Sequence, residues 1–320
     1  MRKESILITG AGGQIGSVLT KALQKKHGDS NVLATDLREL NIPNTRTATL
    51  NVLDKEKMTT LVKENQVTQI YHLAAILSAK GEEDPRFTWN INMEGLFNVL
   101  DIARDFKVDK VFHPSSIAAF GPDTPRQNTP QITPATPTTV YGISKMAGEF
   151  WGNYYFLRYG LDIRSLRYPG IIGHRSLPGG GTTDYAVHIY HSAIKGEPFE
   201  VFLEERTALP MIYMEDAIRA TLELMEAPKE SITIRDSYNL AGMTFTPQEI
   251  VDAIKAEIPE FKATFKANPL RQSIAESWPQ SIDDSKANKD WGWSPKFDLK
   301  TMTKDMIKNL RKKNNLKQSV

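Results

Sequence analysis

Ile6-Leu-Ile-Thr-Gly10-Ala-Gly-Gly-Gln-Ile-Gly16 is the stretch whose reading decides the fold. An apolar run ends in a glycine turn, and the amphipathic stretch Ile15–Lys26 follows without a gap. Strand, glycine turn and helix in that order make the first half of a βαβ unit. Glycine permits positive φ and lets backbone N–H groups approach a pyrophosphate, while the helix N-terminus adds about half a positive charge. Gly10, Gly13 and Gly16 take the key places in a G-x-x-G-x-x-G spacing, one residue longer in its first step than G-x-G-x-x-G.

Standing alone, such a turn is also what a plain glycine-rich link after a strand looks like. Asp36 argues otherwise. It ends the second expected strand, about 20 residues beyond the last glycine, where a carboxylate accepts hydrogen bonds from an adenosine ribose and repels a 2′-phosphate. Arg38 lies close enough to soften that preference, and NAD rather than NADP is the expected cofactor.

Outward from this unit the rhythm repeats. Expected strands at Ser5–Thr9, Asn31–Thr35, Thr47–Asn51, Gln69–Leu73, Lys110–Pro114 and Asp162–Tyr168 alternate with the helical stretches Ile15–Lys26, Lys55–Asn65, Asn92–Asp105 and Ser144–Tyr159. Each stretch is long enough to cross one face of a parallel sheet. Such a sheet buries both faces, so its central strands should be apolar, as Ile6–Ile8 and Val32–Ala34 are. The pattern breaks at Pro169-Gly170, and Leu177-Pro-Gly-Gly-Gly-Thr-Thr-Asp then precedes an apolar helix over Tyr185–Lys195. Ala217–Glu226 reads as another crossover helix, Ser237–Ala241 as another strand, and Pro247–Glu257 with the tail from Trp278 to Asp305 as helices and turns outside the main sheet. The expected architecture is α/β: a doubly wound parallel sheet from residues 1–170 plus about 207–241, and a smaller carboxyl-terminal substrate-binding domain from about 171–206 plus 242–320.

Composition bounds the function. With 320 residues, 40% hydrophobic and 24% charged, the chain has the make-up of a folded protein. Its 40 Lys and Arg against 38 Asp and Glu leave a net charge of +2, too little to collect on nucleic acid or an acidic membrane. The absence of cysteine excludes thiol nucleophiles, disulfides and thiolate metal sites. No leader pattern opens the sequence and no apolar run reaches about 20 residues, so a cytoplasmic protein without membrane partners is expected. His188 and His191 stand three apart with only Asp184 as a nearby carboxylate, which is a poor metal site, and no metal is expected. His72, His113 and His174 read as packed or hydrogen-bonded structural residues, Trp291 and Trp293 as core, and the basic end from Lys308 to Lys317 as a solvated helix.

Tyr141-Gly-Ile-Ser-Lys145 sets a phenol and an ammonium at i and i+4 on one helix face. Isolated pairs of this kind are mostly surface coincidences. Ser115-Ser116 at the end of the fifth strand, with the glycine turn upstream, supplies the missing context. On these motifs the chain resembles the short-chain dehydrogenase/reductase superfamily with its Rossmann-type sheet, over nearly the whole length, and its size and carboxyl-terminal extension resemble the extended branch that includes sugar-nucleotide epimerases.

Aligned with that family's strand-end motif, Ser-Ser-Ile-Ala-Ala-Phe-Gly makes Ser116 the catalytic serine and Ser115 the alternative. The resemblance implies that Tyr141 takes a hydroxyl proton, that Ser116 bonds the same oxygen, and that Lys145 supports both and grips the nicotinamide ribose. It also implies cofactor contacts at Gln14, Ile15, Leu37, Asn51, Val52, Leu73, Ala74, Ala75, Asn92, Tyr168, Pro169 and Ile171. A phenol with an ordinary pKa near 10 must fall by about 3 pH units, about 4 kcal/mol, to act as a base near neutrality. Lys145 and a cationic nicotinamide are expected to supply this.

Five stretches narrow the resemblance: His72–Glu82, Arg167–Ile171, Leu177–Ala186, Glu205–Met214 and Ser277–Asp284. Together they resemble the L-threonine 3-dehydrogenases of the extended short-chain type. That implies oxidation of the threonine β-hydroxyl to 2-amino-3-oxobutyrate with NAD and no metal, in a homodimer formed through two helices of the cofactor domain. Gly179, Gly180 and Gly181 can present N–H groups, and Thr182 and Thr183 hydroxyls, to a small carboxylate, with Ser78 facing from the other side. The same residues also read as a lid and a satisfied turn. Trp278 belongs either to a cover over the substrate or to simple core packing. Two rivals stand beside this. A nucleotide-sugar epimerase or reductase would need a diphosphate site, for which Arg206, Arg219, Arg235 and Arg271 are available without clustering; a non-catalytic NAD sensor would not need the intact Ser116, Tyr141 and Lys145.

Overall fold

β1 (Ile6–Thr9) is buried along its whole length and lies inside a six-stranded parallel sheet. The computed structural model describes residues 4–175, 177 and 180–318, of which 315–318 by backbone alone. After β1 come α1 (Gln14–His27), β2 (Val32–Asp36), β3 (Arg46–Thr49), α2 (Lys55–Glu64), β4 (Gln69–His72), α3 (Ser78–Gly81), α4 (Pro85–Asp105), β5 (Lys110–Phe112), β6 (Ser115–Ser116), α5 (Val140–Tyr159) and β7 (Asp162–Arg164). The strand order is β3-β2-β1-β4-β5-β7. Winding reverses between β1 and β4, so the segments leaving these two strands border the crevice in which such sheets bind ligands.

The sheet stands because β1 alternates between two apolar layers. Ile6 and Ile8 pack with Leu19 and Leu23 of α1, and Leu7 packs on the opposite face with Met93, Leu96 and Val99 of α4. Burying each such side chain contributes about 1.5–3 kcal/mol.

The chain continues through β8 (Leu166–Tyr168), β9 (Gly170–Ile172), α6 (Tyr185–Lys195), β10 (Phe199–Val201), β11 (Leu209–Tyr213), α7 (Met214–Glu226), β12 (Tyr238–Asn239), β13 (Met243–Phe245), α8 (Pro247–Glu257), β14 (Ala263–Phe265), α9 (Pro269–Glu276), α10 (Ser285–Trp291) and α11 (Leu299–Gln318). Three small sheets result, ordered β12-β8-β6, β13-β11-β9 and β10-β14. A third apolar cluster joins α6, α8 and α11, with Tyr190, Ile254 and Met306 among its members.

Two expected strands are each divided. Lys110–Pro114 ends at Phe112 and resumes as β6, because Pro114 offers no N–H to a ladder. Asp162–Tyr168 changes sheets at Ser165: Arg164 turns inward to the carbonyls of Leu224 and Ala227 at 2.6 and 2.7 Å, and β8 then pairs with β6 and β12. Two helices start earlier than expected. Asp84 accepts from the N–H of Phe87 with Pro85 in the first turn, which moves the start of α4 from Asn92 to Pro85. Thr139 accepts from Gly142 N–H, so α5 begins at Val140 and Tyr141 sits in its first turn.

Candidate active site

The glycine turn is built by close approach. Gly10 has φ +71°, and a Cβ there would lie 2.7 Å from Ala74 N; a Cβ on Gly16 would lie 2.3 Å from the carbonyl oxygen of Gly10. Gly13 is the N-cap of α1 and provides no side-chain cap, and the first turn holds no acidic residue. The first turn of α1 therefore carries no acidic side chain of its own, which suits a phosphate. Gly12, which the motif reading passed over, donates its N–H to Asp36 Oδ2 at 3.0 Å. Asp36 Oδ1 accepts from Arg38 N at 3.2 Å, while the Arg38 side chain remains 78% exposed. Open helix terminus, glycine cradle and strand-end carboxylate together fit an adenine dinucleotide.

The other expected cofactor residues line the same edge of the sheet with different degrees of freedom. Leu37 is exposed at 71% and Asn51 is exposed, with its Oδ1 accepting from Leu53 N–H. Val52 is buried against Gly95 of α4. Leu73, Ala74 and Ala75 are half-buried in the segment after β4. Gln14 Nε2 reaches the Ile171 carbonyl at 3.5 Å, and Ile15 and Ile171 pack on one cluster. Two expectations need correction. Asn92 accepts from Ile76 N–H at 2.9 Å and donates to Ile76 O and Ser144 Oγ, both at 3.1 Å, so both its amide hydrogens hold the protein rather than facing a ligand. Tyr168 turns its ring into the core with its hydroxyl on Thr221, which leaves its main chain and buried Pro169 to border the site.

Ser116, Tyr141 and Lys145 come together. The Ser116 hydroxyl stands close enough to Tyr141 to act on its pKa, and Ser116 Oγ accepts from Ala118 N–H at 3.2 Å. Lys145 is 5% exposed, donates from Nζ to the Pro114 carbonyl at 2.7 Å, and lies 5.5 Å from the centre of the Tyr141 ring. Burial pushes Tyr141 up to about 12, with the Ser116 bond opposing, and burial pulls Lys145 down to about 8, with Glu149 opposing. The direction is the reverse of the lowering expected for the phenol, and burial is its cause. Ser115, the alternative serine, points elsewhere and donates to Glu149.

On the substrate side Ser78 is buried as the first residue of α3. Thr182 is 1% exposed and its hydroxyl has no hydrogen-bond partner among the described residues, which leaves a buried donor unused. Thr183 packs against Gly170. The glycine cradle is corrected: the N–H groups of Gly180 and Gly181 both donate to Asp184 Oδ2, at 2.9 and 2.6 Å, so a carboxylate of the chain itself occupies that nest. Gly179 lies outside the described residues. Arg271 of α9 donates to the Gly181 carbonyl at 2.7 Å and lies over the Phe202 ring. Trp278 is buried in the large apolar cluster that also includes α6 and α8, which is the core-packing reading.

The histidines are structural. His72 bonds Thr9 Oγ1 at 2.8 Å and stacks on His113, and His174 meets the Tyr213 hydroxyl at 3.1 Å. Three of the four arginines considered for a diphosphate are already engaged: Arg219 with Asp216 and Glu223, Arg235 with Asp162, and Arg271 with Gly181.

The chain is similar to known proteins over nearly its whole length. An uncharacterized epimerase/dehydratase of Staphylococcus saprophyticus is 46% identical over 308 residues, covering 95% of this chain and 96% of that protein. A GalE-like L-threonine dehydrogenase from Cupriavidus necator, in holo form, superposes with a TM-score of 0.94 at 52% identity, over 96% of this chain and 99% of the other. A monomeric L-threonine 3-dehydrogenase from a metagenome superposes with a TM-score of 0.94 at 47% identity, over 97% and 99%. The model of the NAD dependent epimerase/dehydratase family matches residues 6–241, and the chain belongs to that family.

Proposed function

We propose that this protein oxidises the β-hydroxyl of L-threonine to 2-amino-3-oxobutyrate with NAD. The observation that carries the proposal is the gathering of Ser116, Tyr141 and Lys145, with Lys145 Nζ on the Pro114 carbonyl at 2.7 Å and 5.5 Å from the centre of the Tyr141 ring. The engaged arginines favour this small substrate over a nucleotide sugar. The resemblance to the two threonine dehydrogenases supports it further.

The dinucleotide, when bound, supplies the hydride acceptor. Gly10, Gly13 and Gly16 with the N-terminus of α1 hold its pyrophosphate, Asp36 its adenosine ribose, and Lys145 its nicotinamide ribose. Tyr141 takes the proton of the substrate hydroxyl, and Ser116 hydrogen-bonds the same oxygen so that charge developing on it is met by a fixed donor. Lys145, once charged, favours the phenolate of Tyr141. Thr182, Thr183 and Ser78, all in or beside buried segments, receive the substrate's carboxylate end. The nicotinamide domain comprises residues 1–170 and about 207–241, and the remainder forms the substrate side.

The protein acts as a homodimer through α4 and α5, in the cytoplasm, where NAD and free amino acids meet. Phe87 and Trp89 of α4 and Phe150, Trp151, Tyr154 and Leu157 of α5 are all at least 39% exposed, an apolar face of the kind that marks an interface. Among the described residues no helix is long and apolar enough to cross a membrane. Steady-state NADH formation from a panel of L-threonine, L-allo-threonine, D-threonine, L-serine and UDP-sugars tests the substrate. Turnover with L-threonine alone or foremost is expected. Activity confined to UDP-sugars would leave only the family assignment standing.

A further inference from the structure

Glu149 lies one helical turn beyond Lys145 and two beyond Tyr141 on α5, and is 1% exposed. A carboxylate this deep persists only where charge and hydrogen bonds meet it. Arg167 of β8 clasps it, with Nε 3.0 and 3.2 Å from the two oxygens and Nη2 2.7 Å from Oε2. Arg167 is itself anchored by Asn239 Oδ1 of β12 and the Gln131 carbonyl, both at 3.1 Å. Ser115 donates to the same carboxylate.

Ser115 sits between the two residues that touch the proton-transfer groups. Pro114 receives Lys145 Nζ, and Ser116 adjoins Tyr141. We propose that Glu149 is a positioning residue of this site: through Ser115 it fixes Pro114–Ser116 against Lys145 and Tyr141, and it sets a buried carboxylate one helical turn from Lys145. The inference rests on the dehydrogenase chemistry proposed above.

The surroundings of Lys145 leave this task to Glu149. From α5 it is faced by Tyr141 and Glu149. From the ends of β4 and β5 it is faced by His72 and His113, both held neutral chiefly by burial and also by Lys145 itself. From β8 comes Arg167, committed to Glu149, with Asp236 3.9 Å beyond it, and from α4 the uncharged Asn92, bound to Ser144. Burial works against the ammonium and Glu149 works for it. A neutral Lys145 has no charge with which to favour the phenolate.

The test is Glu149→Gln, which keeps the shape and removes the charge. In the NAD-saturated protein the ultraviolet tyrosinate absorbance, taken as the difference from the matching Tyr141→Phe protein, reports ionisation of Tyr141 without any substrate. We expect its midpoint to rise by about one pH unit, a tenfold shift in the equilibrium, and the acid limb of kcat/KM for L-threonine to move with it. A folded, NAD-binding Glu149→Gln protein with an unmoved midpoint overturns the proposal. If that variant does not fold, Glu149→Asp keeps the charge and draws it back from Ser115. Its expected signature is kcat lowered about tenfold or more with KM and the Tyr141 midpoint held, since misplacement by about 1 Å is costly at a reacting group; unchanged kcat contradicts the proposal. Because the tyrosine titration needs no substrate, failure of L-threonine as substrate would not be mistaken for failure of Glu149.

Discussion

At the scale of single residues, the balance at Tyr141 is the feature with the largest consequence. Burial pushes the phenol up to about 12 with Ser116 opposing, the reverse of what a base near neutrality needs. Tyr141→Phe should lower kcat by about 10²–10⁴-fold while NAD affinity stays within about twofold, since only a hydroxyl at the reacting carbon is lost. Stopped turnover and cofactor titration on the same preparation check this. Asp36→Ala should narrow the preference for NAD over NADP, chiefly by weakening NAD, and equal efficiency with both cofactors in the unaltered protein contradicts the assignment of Asp36. The Tyr141–Lys145 pair, Ser116 and Asp36 were legible in the sequence because each sits at a fixed offset from a strand end or a helix start. Gly12, Asp184 and the Glu149–Arg167 pair were not, because their partners lie 24, 4 and 18 residues away and no local pattern announces a buried carboxylate. Asn92 was assigned to the cofactor for the converse reason: its place on α4 was right, but only the contacts reveal that both amide hydrogens are spent on Ile76 and Ser144.

At the scale of elements, the glycine turn is held by distances that leave no room for a side chain. Gly16→Ala places a Cβ against the Gly10 carbonyl, which is backbone and cannot swing aside, and overpacking of this kind costs about 1–3 kcal/mol. NAD binding measured by titration calorimetry should weaken about tenfold or more, and unchanged affinity would refute the turn as the pyrophosphate cradle. The β4 and β5 ends carry a second consequence. His72, at about 3, and His113 have pKa values held below the ordinary imidazole range by burial, with Lys145 adding to it and His72 also acting on His113. The unfolded chain takes up protons below about pH 6.5 while the folded one does not, so stability falls as pH drops through that range, by about 1.4 kcal/mol per pH unit for each histidine. His113→Leu should make the plot of unfolding free energy against pH shallower between about pH 4 and 6 by about that slope, whatever the variant's absolute stability. Helices α6 and α8 matched their sequence limits: apolar residues run through α6 up to Gly196 at its end, and Thr246-Pro247 with Glu249 marks the start of α8 as a capping box. The early starts of α4 and α5 and the divisions at Pro114 and Ser165 escaped because caps, a proline and an inward arginine set them, not periodicity.

At the scale of the whole molecule, the α4–α5 face links the fold to its assembly. Replacing Trp151 and Leu157 together by Glu should convert a dimer into a 36.0 kDa monomer in light scattering coupled to size exclusion, and a monomer already in the unaltered protein would remove the interface from the account. The doubly wound sheet was legible in the sequence because strand and helix alternate through its first half, whereas the three small sheets depend on pairings between strands of two to five residues that carry too little pattern to register alone. Substrate identity stands or falls on one experiment with the pure protein: steady-state NADH production from L-threonine and NAD, run beside Tyr141→Phe and a UDP-sugar. The account predicts clear turnover with L-threonine, a poorer rate with L-serine whose missing methyl costs about 1–3 kcal/mol, and near-loss in Tyr141→Phe. Absence of turnover with L-threonine, together with activity or tight binding toward the UDP-sugar, would contradict it.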